Sequence, residues 1–365
     1  MVQNSRIGRW ARFLILLASA GPVVPGAIAA TCTTQSQMSA AQRDTLSTAA
    51  RMLVAKIQAG DVQGIQANTI PAVAADFSGI ASSIQYLKPI VQQAVVIVNE
   101  LYVLDASSDP AGAARTDFFC GNPLVVLNFT NLPPATYALA ILQATGVADP
   151  QQISLILSKT GENRWMLAGF FDRPMVEAGH DGLWYWSSAR QYAQKKMNWD
   201  AWLYYRIATN LLSPLDFLSS SNLDKIHHEA DQAHPDSLPG AQPMLTNANG
   251  GAYSITAIDT TTQFGPLDLD VHYTPDAVQA AQLRDPPAAR RQATGVLSTL
   301  LASHPELQAA FHGIWVHADQ GNVTLFALEL PMSQITLVQQ AVPAGNATPL
   351  VNAPQSSSVL SRSPQ

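Results

Sequence analysis

The chain has 365 residues, of which 47% are hydrophobic and only 13% are charged. This length gives room for two or three domains, and the hydrophobic content argues against a chain that is disordered throughout. The formal net charge of −6 at pH 7 disfavours binding to nucleic acid or to an anionic membrane surface.

The first 29 residues have the organisation of a secretory signal peptide. Arg6, Arg9 and Arg12 form a basic region, residues 13–20 form a short apolar run, and residues 27–29 (AIA) give a small-x-small cleavage site. We therefore predict an exported protein, periplasmic or extracellular, with an uncleaved anchor as the alternative. Cleavage leaves 17 of the 20 basic residues against 26 acidic residues, a formal charge of −9. No later stretch has the length and apolar character of a transmembrane helix.

Two cysteines follow the signal, Cys32 and Cys120. In an oxidising compartment they can form a disulfide, whereas in a reducing one they are ordinary small apolar residues. The sequence leaves both alternatives open.

Residues 36–178 predict an α+β unit in which helices come first. Ser39 and Gln42 form a capping box at the start of a helical pattern that ends at Gly60, and a second helix follows Pro71. Runs of β-branched and aromatic residues then predict an antiparallel sheet; they are residues 94–107, 123–132, 137–146, 151–160 and 164–171.

The stretch ENRWMLAGFF (162–171) resembles the last-strand pattern of the nuclear-transport-factor-2-like superfamily, whose fold is a cone of helices on a curved sheet. The resemblance covers about 140 residues and implies a pocket inside the cone, which some members use for catalysis and others for binding. The range contains no histidine, so the candidate acid–base residues are Glu100, Tyr102 and Asp105. The alternative for these three residues is a solvated strand edge.

Residues 181–214 hold eight aromatic side chains between Trp184 and Tyr205. Two helices are predicted, capped by Asp181 and Asn198, with small and aromatic residues at helical spacing. This pattern resembles one tetratricopeptide repeat, which implies a helical hairpin with a protein-interaction or packing role. The predicted packing or interaction residues are Trp184, Tyr185, Tyr192, Ala201, Trp202, Tyr205 and Ala208. A ligand-stacking wall is the alternative.

The helical segment is predicted to span residues 180–234 and to end in the polar stretch HHEADQAH. His227, His228 and His234 are the weak metal-ligand candidates there, because imidazole is a common ligand of transition metals. A polar helix end explains the stretch equally well. Residues 235–251 contain several prolines and glycines and are predicted to be a linker.

Residues 252–338 predict a second, smaller α+β unit with the order β-β-α-β-β, followed by a disordered tail at residues 341–365. His312 and His317 are five residues apart on one predicted strand, so they face opposite sides and make no site together. Asp268 and Asp270 share one strand face, which we predict to be exposed.

No nucleophile, phosphate-binding or dinucleotide-binding motif occurs, and no catalytic residue, cofactor or metal is predicted. The leading hypothesis is an exported, non-catalytic scaffold or interaction protein of the bacterial envelope, with a protein partner. The rival hypothesis is a small-molecule-binding protein or enzyme that uses the cone pocket. An apolar, filled cone would favour the first hypothesis, and converging ionisable groups would favour the second.

Overall fold

The computed structural model describes residues 30–162, 164–263 and 265–335. The predicted signal peptide and the predicted disordered tail lie outside the described residues. The described chain is α+β with mostly antiparallel sheets, as predicted. In this part of the chain, no helix has the length and apolar character that crossing a membrane requires.

The first unit consists of four helices and a five-stranded antiparallel sheet. The helices are α1 (Ala40–Ala59), α2 (Val62–Gln66), α3 (Pro71–Ala74) and α4 (Ser78–Val91). The strands, in spatial order, are β1 (Thr31–Thr34), β2 (Val95–Asp105), β5 (Thr136–Thr145), β6 (Gln151–Lys159) and β7 (Trp165–Pro174). The small sheet beside it is formed by β3 (Arg115–Cys120), β4 (Val125–Thr130) and, from later in the chain, β10 (Leu218–Ser220).

The start and end of α1 follow from its sequence. The Ser39 hydroxyl accepts a hydrogen bond from the backbone N–H of Gln42, and the Gln42 side chain accepts one from the backbone N–H of Ser39. Gly60 ends the helix in the left-handed conformation at φ 70°. The helices cover one face of the large sheet, and the space between them is filled by apolar side chains such as Leu53 and Leu155.

Cys32 of β1 and Cys120 of β3 form a disulfide, with their α-carbons 5.2 Å apart. The bond joins the edge of the large sheet to the small sheet. Of the two alternatives left open by the sequence, the structure therefore shows the pairing, which is typical of proteins in oxidising compartments.

The helical segment follows a short ribbon formed by β8 (Val176–Glu177) and β9 (His180–Asp181). Its helices are α5 (Gly182–Gln194), α6 (Asn198–Leu212) and α7 (Ser221–Gln232). Asp181 caps α5 by accepting a 2.8 Å hydrogen bond from the N–H of Trp184, as predicted. The cap predicted for α6 is wrong, because Asn198 is its first helical residue; the capping position is held by Met197, whose side chain makes no capping hydrogen bond.

Most of the aromatic side chains of this segment are packed. Tyr185, Tyr204 and Tyr205 are buried, while Trp202 is partly buried and its ring lies 5.8 Å from that of His234. Trp184 is the exception, since it is 41% exposed and stacks on His180. The predicted helix stripe residues Ala201 and Ala208 are fully buried, and Tyr192 is partly buried against the same cluster.

The second unit is a five-stranded sheet with helices on one face. In spatial order its strands are β11 (Met244–Ala248), β12 (Gly251–Thr261), β13 (Asp268–Thr274), β14 (Gly313–Gln320) and β15 (Val323–Pro331). The helices α8 (Ala277–Gln282), α9 (Pro286–Ser303) and α10 (Leu307–Ala310) lie between β13 and β14 in the chain. These two strands are parallel, and the other neighbours are antiparallel. Residues 235–251, predicted as a linker, thus include an edge strand.

Alternation along β13 and β14 separates two faces of this sheet. Leu269, Val271 and Val316 are buried in the core to which α9 contributes Val296 and Leu300. The same buried cluster continues through the helical segment to the first sheet, and the Tyr204 hydroxyl donates a 2.9 Å hydrogen bond to the carbonyl of Ala310. The helical segment therefore connects the two α+β units.

Candidate functional site

The face of the second sheet opposite α9 carries four titratable side chains close together. Asp270 and His272 lie on β13, and His317 and Asp319 lie on β14. The parallel register places His272 directly beside His317, and alternation puts all four on one face. We refer to these four residues as the histidine–aspartate cluster.

The carboxylate of Asp270 is shared by the two histidines. Its Oδ1 lies 3.4 Å from Nε2 of His272 and 3.1 Å from Nε2 of His317. The two imidazole rings are stacked, with centroids 4.6 Å apart and planes inclined by 13°. On the other side of His272, Nδ1 is 2.6 Å from Oδ2 of Asp319, whose Oδ1 accepts a 2.6 Å hydrogen bond from the Thr324 hydroxyl.

These side chains are half-buried, with exposed fractions of 19% to 31%. The nearby carboxylate of Asp270 is the main cause that raises the pKa of His272, to about 9; desolvation opposes it, and the hydrogen bond with Asp319 adds to it. Burial pushes the pKa of Asp319 up, but hydrogen bonds from Thr324 and His272 outweigh burial, and its pKa is lowered. Without a metal ion, His272 is therefore an imidazolium held between two carboxylates.

The same side chains offer the donor atoms of a site for a divalent transition-metal ion, and the stacked rings, whose planes are inclined by 13°, would have to turn for both Nε2 atoms to point at one ion. One donor atom each from Asp270, His272 and His317 lies within 4.8 Å of the other two. Tetrahedral zinc with ligands at about 2.0–2.1 Å requires ligand atoms about 3.3 Å apart, and the two measured N···O separations are 3.4 and 3.1 Å. Two imidazoles and a carboxylate are also a common donor set for such ions.

Asp319 has the position expected of a residue that orients a metal ligand. By accepting from Nδ1 of His272, its carboxylate holds the proton on that nitrogen and leaves Nε2 available to a metal. Trp315, two residues before His317 on β14, stacks on the His317 ring with centroids 5.9 Å apart and limits the movement of that ring.

The metal-ligand candidates predicted from the sequence do not come together. His228 hydrogen-bonds to Gln232, and His234 packs on Trp202. His227 lies on the wall of a separate cavity. The reason is geometric: adjacent residues of α7 point about 100° apart, since a helix has 3.6 residues per turn, and His234 follows the helix end.

The interpretation of the carboxylates on β13 as an exposed face is wrong. Asp268 is 3% exposed, and its Oδ1 lies 3.3 Å from Nδ1 of His312. Asp270 is only partly exposed. His312 and His317 lie apart, as predicted. His317 instead lies beside His272 of the neighbouring strand β13. The signal for this site is the pair of alternating patterns Asp-Val-His on β13 and His-Ala-Asp on β14.

The first unit has a cavity of about 580 Å³, and none of the four residues of the histidine–aspartate cluster lines it. Arg43, Glu100 and Tyr102 line it, and the Tyr102 hydroxyl donates to the Glu100 carboxylate. Burial, and then the charge and hydrogen bond of Glu100, raise the pKa of Tyr102. Asp105 is not part of this group, because its carboxylate accepts from the Ser107 N–H.

This cavity does not lie inside the predicted cone. The space between α1–α4 and the sheet is filled by apolar side chains, which is the outcome that favours the scaffold hypothesis. The converging ionisable groups lie instead where the Thr34–Ser36 loop, β2 and the β3–β4 turn meet. The histidine–aspartate cluster offers the more specific chemistry, because three donor atoms lie within 4.8 Å of one another and the two N···O separations are 3.4 and 3.1 Å.

Comparisons with models of protein families, with curated proteins and with solved structures give no match. The geometry of the histidine–aspartate cluster is therefore the main guide to function.

Proposed function

We propose that the protein is an exported, non-catalytic binding protein that holds a divalent transition-metal ion on the open face of its second sheet. The observation that carries this proposal is the shared position of Asp270 Oδ1, 3.4 Å from Nε2 of His272 and 3.1 Å from Nε2 of His317. Zn²⁺ is the first candidate because it accepts imidazole and carboxylate ligands in a tetrahedral arrangement.

Export is supported by the signal-like pattern of residues 1–29 and by the disulfide between Cys32 and Cys120. We place the protein in the periplasm of a bacterial envelope, with an interaction role for the helical segment. The resemblances to a tetratricopeptide repeat and to the nuclear-transport-factor-2-like fold are parts of this proposal.

Calorimetric titration of the chelator-treated protein with Zn²⁺ tests the metal site. We expect one ion per chain, and we expect His317→Ala and Asp270→Asn to weaken binding at least a hundredfold. His228→Ala is the matched control, since His228 lies on α7 outside the cluster. Circular dichroism verifies that each variant is folded.

Thermal denaturation gives a second measurement. Zn²⁺ at a hundred times its Kd should stabilise the wild-type protein by about 2.7 kcal/mol, because it binds the folded state alone. The proposal is refuted by a wild-type protein that takes up no stoichiometric Zn²⁺, or by a His228→Ala variant that loses binding as severely as His317→Ala.

A second candidate function is small-molecule binding in the cavity of the first unit. The observation that favours it is the convergence of Arg43, Glu100 and Tyr102, together with the buried Oε1 of Gln35, which has no hydrogen-bond partner within residues 30–162, 164–263 and 265–335. A thermal-shift screen with small polyols and amines, repeated on Tyr102→Phe, tests it. A compound that stabilises both proteins equally does not bind at this cavity.

A further inference from the structure

The cavity of about 580 Å³ in the first unit has two charged side chains of opposite sign in its lining, Arg43 of α1 and Glu100 of β2. The other described residues that line it are uncharged, so the formal charge of the wall is zero. In the described part of the chain, Arg43 and Glu100 form no ion pair with each other or with another side chain. Two opposite charges therefore line one space without neutralising each other.

The guanidinium group of Arg43 is anchored on one side. Its Nη1 donates hydrogen bonds to the carbonyl oxygens of Met38, at 2.6 Å, and of Gln35, at 3.4 Å. Its Nε and Nη2 donate no hydrogen bond to the described residues. Arg190 shows what this edge of a guanidinium group binds, because its Nε and Nη2 hold the carboxylate of Glu229 at 2.8 and 2.9 Å. The same edge of Arg43 suits a carboxylate from another molecule.

The carboxylate of Glu100 is held in place but not neutralised. Its Oε2 accepts a hydrogen bond from the Tyr102 hydroxyl, and its Oε1 accepts none from the described residues. Burial is the main cause that raises the pKa of Tyr102, so this hydroxyl keeps its proton and remains a donor without positive charge. Glu100 is exposed, so a cationic group can reach its carboxylate from solvent.

This lining favours a ligand that carries both charges. An anion would suit Arg43 but would meet the carboxylate of Glu100, and a simple amine would meet the guanidinium group; like charges placed together weaken binding. Water fills such a space without supplying either charge. A molecule with a carboxylate and an ammonium group forms a charge-assisted hydrogen bond at each side chain, and such bonds are roughly twice as strong as neutral ones. The cavity volume lies within the range of about 300–1,000 Å³ that is usual for small-molecule sites.

A second cavity, of about 240 Å³, offers room for a longer ligand. Its lining shares Glu100, Tyr102 and Val125 with that of the first cavity. Gln152 also lines it, and the buried Nε2 of Gln152 has no hydrogen-bond partner among the described residues. Buried donors usually have a partner, and a carbonyl oxygen of a ligand such as a dipeptide would supply one.

We propose that the cavity of the first unit binds a small zwitterion, an amino acid or a short peptide, with its carboxylate on Arg43 and its ammonium group on Glu100. This inference rests on small-molecule binding in this cavity, the second candidate function. A free amino acid and a dipeptide offer the same two charges, and the experiment separates these two sources.

Thermal denaturation of the purified protein at pH 7 screens amino acids, dipeptides, polyols and simple amines. Calorimetric titration then gives the Kd of the zwitterion that stabilises the protein most. Its C-terminal amide keeps only the ammonium group, and its N-acetyl derivative keeps only the carboxylate. We expect each derivative to bind at least tenfold more weakly than the zwitterion. A dipeptide that binds more tightly than both of its amino acids identifies a peptide ligand, and the reverse identifies a free amino acid.

Two substitutions test the two contacts separately. Arg43→Gln should bind the zwitterion and its amide almost equally, because the carboxylate has lost its partner. Glu100→Gln should bind the zwitterion and its N-acetyl derivative almost equally, because the ammonium group has lost its partner. Arg51→Gln is the matched control, since Arg51 is an exposed residue of α1 outside the cavity lining, and it should keep the wild-type Kd.

Circular dichroism verifies that each variant is folded. Should Arg43→Gln fail to fold, Arg43→Lys takes its place: lysine keeps the positive charge but lacks the forked pair of donors, so the zwitterion should bind at least threefold more weakly.

Two results overturn the inference while small-molecule binding in this cavity stands. In the first, the amide or the N-acetyl derivative binds the wild-type protein as tightly as the zwitterion does. In the second, polyols or amines stabilise the wild-type protein more than Tyr102→Phe, and no zwitterion stabilises either protein. If no compound of any class stabilises the wild-type protein, the second candidate function and this inference fail together.

Discussion

Asp200 is a buried carboxylate whose ionisation should oppose folding. It lies on α6, is 0% exposed, and neither of its oxygens has a hydrogen-bond partner among the described residues. Desolvation, with a contribution from the charge of Glu306, raises its pKa from 3.8 to about 7. The surrounding elements bring further titratable groups, namely Tyr192 of α5, Tyr204 of α6 and His304, which contacts Trp199.

The direction of the pH effect follows from the two pKa values. The unfolded chain ionises Asp200 near pH 3.8 and the folded protein near pH 7, so folding takes up a proton between these values. The contribution of Asp200 to stability is therefore present at pH 4, falls as the pH rises to 7, and is lost above 7. A shift of about three units corresponds to about 4 kcal/mol at 1.36 kcal/mol per unit.

Asp200→Asn removes this pH dependence because the amide does not titrate. Urea denaturation of both proteins from pH 4 to pH 8 gives the difference in unfolding free energy at each pH. At pH 4 the two should be nearly equally stable, since a neutral carboxyl and an amide leave similar unpaired groups. By pH 8 the variant should be more stable by about 3–4 kcal/mol. The exposed Asp224 of α7 provides a control, because Asp224→Asn should retain the wild-type pH dependence.

A difference between the Asp200→Asn and wild-type proteins that stays constant from pH 4 to pH 8 would refute this reasoning. It would mean that the folded protein solvates the Asp200 carboxylate, or pairs it, as well as the unfolded chain does. Glu306→Gln adds an independent test: by removing the neighbouring charge, it should lower the pKa of Asp200 and move the fall in stability to a more acidic pH.

Three further predictions concern stability. Gly182→Ala would place a Cβ 2.5 Å from Leu212 Cγ, and overpacking should cost about 1–3 kcal/mol in urea denaturation; an unchanged midpoint contradicts this. Glu229→Gln breaks the ion pair with Arg190, whose N···O distance is 2.8 Å. After allowance for the exposure of Arg190, the free energy of unfolding should fall by about 1–2 kcal/mol. An unchanged free energy of unfolding would show that α7 does not need this contact. Reduction of the Cys32–Cys120 bond opens a loop with a sequence separation of 88. On a chain-entropy estimate, the free energy of unfolding should fall by about 4–5 kcal/mol. Equal stability under reducing and oxidising conditions would contradict this prediction.

The parts of the fold that were predictable are those with strong local signals. The Ser39–Gln42 capping box and Gly60 mark the ends of α1, and runs rich in aliphatic, β-branched or aromatic residues mark β2, β5, β6 and β7. The strands that the sequence does not predict, such as β11 in the range 235–251, are short and lie at sheet edges. There, proline and glycine nearby indicate a loop, while pairing with the next strand decides the structure.

The histidine–aspartate cluster could not be predicted from the sequence, because it depends on a non-local pairing. His272 and His317 are separated by the whole α8–α10 connection, and no local pattern specifies that β13 pairs with β14 in parallel. The spacing of His312 and His317 predicts opposite faces of one strand and so gives no sign of the site; in the structure, His312 precedes β14. His227 and His228 are adjacent in sequence and His234 follows closely, which favoured them as a ligand set, yet helix geometry and the helix end separate them.

The register of the β13–β14 pair determines whether the site exists. His272 pairs with His317 and Asp270 with Trp315, so Asp270 reaches His317 diagonally while His272 reaches Asp319. A slip of one residue on β14 would turn His317 and Asp319 toward α9 and place Val316 on the open face. Such a slip would also remove Val316 from the apolar core and bury an imidazole and a carboxylate there. The apolar face that stabilises the sheet therefore also determines which side chains share the opposite face.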